Sequence, residues 1–373
     1  MRYAAARAVL IESMIMVKNV TRLLQLSLLG VALGVMPGSL WAAEPAPTQM
    51  DNKTDTADAK FQRWLDDLYQ EARARGISEP TLEQAFSEIT PPVKRIIKTD
   101  RNQAEVVKTY DSYLSARLTD WKFKTGRTLM AKNAKVLNQV AQQYGVQPRF
   151  LVAIWGMETN YGTYPIKENI FNVLATLAYD KRRGAYFRAQ FLTALDMLDS
   201  GFPSYRQLKS SWAGAMGQPQ FMPESYQQYA VDFDGDGKRD IWHSNADVFA
   251  SIANYFSVRG WRDDQTWGRP VQLPPGGEQS LPAPQAAGLN PDADCKRFKS
   301  LGVWRDLRDW QKLGVRRADG TDLPDVSIPA ALIVADKGDR QGYIVYRNFC
   351  TIMSFNPSFK YALSIGLLSD ELN

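Results

Sequence analysis

A mainly helical α+β fold is what the sequence predicts, on three observations. Apolar residues recur at three- and four-residue spacing through most of Phe61 to Ser200, the period of helices with one buried face. Two short late stretches, "AALIVAD" and "GYIVYRNFCTIMSF", alternate as strands do. The chain then closes on "NPSFKYALSIGLLSDEL", a helix with Pro357 in its first turn.

The elements follow in order. Lys18 and Arg22 precede an apolar run from Leu23 to Met36 and small residues ending in "LWAA". That is the layout of a secretory signal peptide, cut after Ala42 or Ala43, and the run is short for a membrane span. No cysteine lies near the cut, so the expectation is an exported periplasmic chain that is not lipid-anchored. Residues 1–42 are read as signal peptide and the polar, proline-containing 43–60 as a disordered tether. In "FQRWLDDLYQEARARG", Phe61, Trp64, Leu65 and Leu68 share a face. Helices continue to Tyr144 with Gly126 and Gly145 as breaks, which makes 61–130 an N-terminal helical subdomain. Residues 131–267 form a core of helices and loops. Residues 268–348 open on a long irregular stretch with six prolines up to Pro291 and then carry the strands. Residues 349–373 return to the core.

Composition excludes several chemistries. Hydrophobic residues are 45% and charged residues 23% of 373, ordinary for a folded protein, and the net charge of +5 comes without a basic run of the kind that binds nucleic acid. His243 is the single histidine, which rules out a two-histidine zinc helix. There is no G-x-S-x-G and no phosphate-binding glycine loop. Carboxylate chemistry remains, and glycoside cleavage is the leading class that runs on it. Cys295 and Cys350 are the two cysteines; export would put them in an oxidising compartment, where they either pair or stay apart.

Three motifs carry the chemistry. In "LVAIWGMETNYG", a helix over Pro148 to Glu158 places Leu151, Ile154, Trp155 and Glu158 on one face. Desolvation there favours the neutral acid, the form that protonates a glycosidic oxygen; the alternative is a glutamate that reaches water at a helix end. In "SWAGAMGQPQFMP", Gly214 and Gly217 let backbone approach a ligand closely, with Ser211, Gln218 and Gln220 as hydrogen-bonding groups. In "DFDGDGKRDIWH", Asp232, Asp234, Asp236 and Gly237 fit positions 1, 3, 5 and 6 of a calcium loop, and Lys238 supplies a carbonyl at position 7. Position 12 is His243 rather than Glu, and Asp247 is placed to reach back in its stead. The same residues also suit Asp-Gly turns in a solvated loop.

Taken in order with "ASIANYF" and "FNPSFKYAL", these motifs resemble the lytic murein transglycosylase B family of the soluble periplasmic type, from about Phe61 to the C-terminus. The resemblance implies a lysozyme-like catalytic core with a helical N-terminal part and a small β-containing insert. It implies cleavage of the β-1,4 bond between N-acetylmuramic acid and N-acetylglucosamine in peptidoglycan, with a 1,6-anhydro ring formed and no water added. Glu158 matches the family's catalytic acid and base. Ser211, Gln220, Phe221, Tyr255, Asn356 and Tyr361 match residues of the sugar site, and Arg182 and Arg183 match basic residues suited to lactyl or peptide-stem carboxylates. Phe355 stands where the family usually has tyrosine. The resemblance further implies no cofactor for the chemistry, a structural calcium ion at Asp232, Asp234, Asp236, Lys238 and Asp247, peptidoglycan strands as partner, no nucleic acid, and a monomer recruited by wall-synthesis proteins. The competing functions are a hydrolytic muramidase, which needs a second carboxylate such as Glu168 or Glu224 facing Glu158, and a non-catalytic wall-binding scaffold.

Overall fold

In the computed structural model, which describes residues 56–103, 108–282, 293–335 and 340–373, helix formation begins at Ala57. Thr56 accepts the Ala59 N–H on its Oγ1 (3.2 Å), which satisfies one orphan donor of the first turn. The helix Ala57–Ala74 therefore includes the last residues of the expected tether. The signal peptide and the tether up to residue 55 lie outside the described residues.

The architecture is mainly α with a small β insert. Helices Ala57–Ala74, Glu79–Phe86, Lys94–Arg101, Tyr110–Arg117, Asp120–Lys132 and Ala134–Tyr144 lead to Pro148–Thr159, the helix that carries Glu158. Ile170–Tyr179, Gly184–Asp199, Pro223–Tyr229 and Asn245–Val258 follow. A two-residue antiparallel pair, β1 (Glu168–Asn169) with β2 (Lys209–Ser210), ties the base of the glycine-rich loop to the helical body. One hydrophobic core runs from Phe61 to Leu372.

Pro148–Thr159 departs from the expected one-sided helix. Every residue from Phe150 to Met157 is buried, so this central stretch has no solvent face. It packs against Asp120–Lys132, Ala134–Tyr144, Asn245–Val258 and the closing helix Phe359–Glu371. Gly126, expected as a break, lies within Asp120–Lys132. A Cβ there would fall 2.5 Å from Tyr161 Oη, and one on Gly156 would fall 2.5 Å from Tyr161 Cε1. The two glycines are the slot into which Tyr161 is pressed.

The insert is an antiparallel sheet of order β4-β6-β7-β3-β5, with β3 Gly268–Gln272, β4 Trp304–Asp306, β5 Arg316–Arg317, β6 Pro329–Val334 and β7 Gln341–Val345. It has its own small core around Val271, Leu307, Trp310, Val315 and Ile344. Two sequence expectations change here. Gly268–Gln272 is a strand despite Pro270; β5 flanks only Val271 and Gln272, which leaves the proline where the strand has one neighbour. The second alternating stretch is strand only as far as Val345, and Arg347–Phe355 is helix. Its buried Phe349, Cys350, Ile352 and Met353 follow helical spacing once Tyr346 is passed. Cys295 and Cys350 form a disulfide (Cα–Cα 5.3 Å) that ties the insert to this helix.

Candidate active site

Glu158 stands on the last turn of this largely buried helix, partly exposed on the wall of a cleft of about 680 Å³. The chain leaves that helix by an unusual turn. Asn160 (φ 49°) and Tyr161 (φ 62°) are consecutive left-handed residues, and Gly162 (φ 77°) follows. Such backbone persists only where its surroundings over-determine it. Here Thr159 Oγ1 donates to the Gln218 carbonyl (3.0 Å) and accepts the Gly162 N–H (3.1 Å). Tyr161 Oη donates to the Lys122 carbonyl (2.7 Å), and Trp155 Nε1 donates to Gln218 Oε1 (2.6 Å). A Cβ on Gly162 would meet that same Oε1 at 2.4 Å, so the "ETNYG" turn and the glycine-rich loop fit only with glycine there.

Tyr361 reaches Glu158 from the closing helix and donates its hydroxyl to Oε1 (2.5 Å). The phenol is buried, and burial, reinforced by the adjacent Glu158 charge, raises it well above the ordinary tyrosine value. It is therefore a fixed donor that orients the carboxylate. Lys122, also buried, donates from Nζ to the Gly156 carbonyl and to Asn160 Oδ1 (2.8 Å each). Desolvation first, and Arg117 second, push Lys122 down to about 8, while Glu158 pulls it back up.

The expected site residues divide into three groups. Glu158, Ser211, Gln220, Asn356 and Tyr361 all line the cleft, beside Trp212 and Phe355. Gln220 holds a left-handed backbone (φ 54°) and donates from Nε2 to the Gly217 carbonyl (3.0 Å). Phe221 and Tyr255 lie beneath the lining. Phe221 makes tilted ring contacts with Tyr255 and Phe355, and Tyr255 Oη donates to the Ser354 carbonyl (2.5 Å), so both support the segment that delivers Asn356. Arg182 and Arg183 both pair with buried Asp100; Arg183 also lines a second cavity of about 670 Å³ that meets the cleft at Trp212, Ala213, Phe355 and Asn356. Gly214 and Gly217 do not face the cleft. Cβ atoms there would strike Leu174 Cδ2 (2.5 Å) and Ile241 Cγ1 (2.6 Å), so these glycines seat the loop on the body. Sequence reasoning missed Lys122, Arg117 and Trp121, which also line the cleft. In "ARLTDWKFKTG" they read as a solvated helix face, and no spacing signal marks Lys122 as buried.

Glu158 is the one carboxylate among the cleft's described lining residues. Glu168 pairs with Arg95 (2.7 Å) and Glu224 accepts from Gln190 Nε2 (2.5 Å); neither lines the cleft.

In the acidic loop, one carboxylate oxygen from each of Asp232, Asp234 and Asp247 lies within 4.8 Å of the others. Asp247 comes from the first turn of Asn245–Val258, and its burial raises it above the usual carboxylate value. Asp232 accepts the N–H groups of Gly235 and Gly237 (2.8 Å each), which folds the loop around the cluster. Asp236 instead accepts the Lys238 N–H (2.8 Å) and stands outside the trio. The all-oxygen donor set suits a hard cation such as calcium.

Comparison with known proteins places this geometry. A family model described as the Transglycosylase SLT domain matches residues 60–370. SltB3 from Pseudomonas aeruginosa, solved in complex with NAG-anhNAM-pentapeptide, is 39% identical; the match covers 84% of this chain and 79% of that one, with a TM-score of 0.73. The Escherichia coli lytic transglycosylase Slt35, solved in complex with calcium, is 28% identical over 86% of this chain and 94% of that one, with a TM-score of 0.65. The membrane-bound lytic murein transglycosylase B of Escherichia coli K12 is 36% identical over 239 residues, 63% of this chain and 60% of that protein, so this chain spans under two-thirds of that relative's length. That relative corrects one expectation, that the chain is not lipid-anchored: the relative itself is named as membrane-bound. The argument from a missing cysteine addressed only one chemistry of attachment. Among the described residues no helix is long and apolar enough to cross a membrane.

Proposed function

Because the chain belongs to the Transglycosylase SLT domain family, with a lysozyme-like, mainly α fold, we propose that it is a lytic transglycosylase acting on peptidoglycan. The bond cleaved is the β-1,4 link between N-acetylmuramic acid and N-acetylglucosamine. The observation that carries this reading is that Glu158 is the single carboxylate among the cleft's described lining residues. A glycosidase that uses water needs a second carboxylate, about 5–5.5 Å away for retention or 6.5–9.5 Å away for inversion. Glu158 alone suits a route without water. It gives its proton to the glycosidic oxygen as the C1–O bond breaks. As carboxylate it then takes the proton of the muramic 6-hydroxyl, whose oxygen closes on C1 to form the 1,6-anhydro ring. The substrate's N-acetyl group supplies the assistance that a second residue would otherwise give.

In this reading Tyr361 orients Glu158, while Ser211, Gln220 and Asn356 bind sugar hydroxyl and acetamido groups against Trp212 and Phe355. Arg183, on the neighbouring cavity, and Arg182 favour acidic substituents of the glycan. Residues 131–267 and 349–373 make the catalytic core, 61–130 its helical support and 268–348 the insert. Asp232, Asp234 and Asp247 hold a structural calcium, supported by the calcium complex of Slt35 and by their convergence here. In this reading the protein acts as a monomer, and wall-synthesis proteins recruit it to the glycan.

The test is a digest of purified sacculi read by mass. Muropeptides lighter by one water than reducing ones are expected from the parent and none from Glu158→Gln. Only reducing ends would point to a muramidase. Glycan binding without soluble products from either protein would point to a scaffold.

A further inference from the structure

Lys122 has no role in the proton transfers above, yet it is a buried lysine on the wall of the cleft. Burying an ammonium is costly unless its donors are satisfied. Its Nζ partners lie on either side of Glu158. Its Nζ donates to the carbonyl of Gly156, two residues before Glu158, and to the side chain of Asn160, two residues after it. Its own carbonyl accepts the hydroxyl of Tyr161, and its N–H is held by Thr119 Oγ1 (3.3 Å). One residue thus brackets Glu158 on both sides and fixes the start of the strained left-handed exit. Its cation also sits at the C-terminal end of the Glu158 helix, where the helix dipole favours positive charge.

We propose that Lys122 is the positioning residue of this site: a charged clamp that holds the last turn of Pro148–Thr159 against its exit, so that the Glu158 carboxylate stays aimed at the scissile bond. The inference rests on Glu158 as the acid and base. Charged groups that interact with Lys122 are Arg117 and Glu158, and Tyr361 reaches the clamp through Glu158. The clamp acts on orientation, so its loss falls on turnover rather than on glycan affinity. A misplacement of about 1 Å in a reacting group costs on the order of a hundredfold in rate.

The experiment compares Lys122→Met, which keeps the chain length without charge or donors, with Lys122→Arg, which keeps the charge. Asn160→Gly removes the acceptor at one end while suiting the left-handed backbone. Turnover of soluble glycan fragments, binding to sacculi and melting temperature are measured for each, for the Lys122→Met/Asn160→Gly double variant and for Glu158→Gln. The expected result is a ten- to hundredfold lower kcat for Lys122→Met with KM within about threefold, part of that recovered by Lys122→Arg, a smaller loss in the same direction for Asn160→Gly, and a double variant no worse than Lys122→Met. Unchanged kcat in Lys122→Met, a loss confined to KM, or additive losses in the double variant would overturn the clamp. If Lys122→Met does not fold, Asn160→Gly decides: kcat equal to the parent sinks the proposal. Should Glu158→Gln retain turnover, the catalytic reading itself falls; an inactive Glu158→Gln beside a fully active Lys122→Met removes the clamp alone.

Discussion

Tyr361→Phe isolates one bond in the site. The substitution keeps the buried ring and removes only the hydroxyl that donates to Glu158 Oε1 at 2.5 Å. A hydrogen bond to a charged group contributes roughly 1.5–3 kcal/mol net. With tenfold in rate per about 1.4 kcal/mol, the loss converts to a roughly ten- to hundredfold fall in kcat if the bond is realised in the transition state. The hydroxyl meets the catalytic group, so KM on soluble glycan fragments should hold within a factor of about three. Packing is unchanged, so melting should move by no more than a few degrees. The assay is steady-state turnover by mass-resolved product release, with the melting curve as control. A kcat within twofold of the parent would show that Tyr361 does not orient Glu158. A change confined to KM would make Tyr361 a sugar-binding residue instead.

Three further outcomes test other parts of the structure. Lys122 titrates near 8 in the fold against 10.5 unfolded, so the unfolded chain binds more protons between those values and stability rises with pH across that window. Relative to Lys122→Met, the parent should therefore gain stability between pH 8 and 10, read by denaturant unfolding; parallel pH dependences would refute it. Millimolar calcium should raise the melting temperature relative to chelator, by an amount equivalent to about 2.7 kcal/mol at a hundredfold excess over Kd, and Asp247→Asn should abolish the difference. Equal melting in calcium and chelator would remove the ion from the loop. Reducing the Cys295–Cys350 bond, which spans 55 residues, should lower stability by up to about 4 kcal/mol on loop entropy, with Cys350→Ala as the matching variant in a denaturant titration. An unchanged midpoint would refute it.

Local signals made much of this protein legible. Helical periodicity marked the elements from Phe61 to Ser200, because a helix with a buried face writes its period into the chain. The Asp232–Gly237 spacing marked an acidic loop, and the approach of Asp247 to it was legible because its helix starts a few residues later. The "GMETNYG" turn marked Glu158, since an acid after so apolar a run needs a reason. Local pattern failed where distant packing decided. Gly126 read as a break and is a slot for Tyr161, and the strand pattern after Tyr346 gave way to a helix bound by Cys350.

By itself, then, the sequence determined the mainly α class, the candidate acid Glu158 and the exclusion of a two-histidine zinc helix, because these depend on residue type and near-neighbour spacing. Only the tertiary structure decided what Glu158 touches. Tyr361 arrives from 203 residues downstream and Lys122 from 36 residues before, each buried against a helix whose central stretch has no solvent face. Hydrogen-bond donors act over about 3 Å of space whatever their separation along the chain. No local period could have shown that a phenol donates to the acid while an ammonium binds the groups two residues to either side of it.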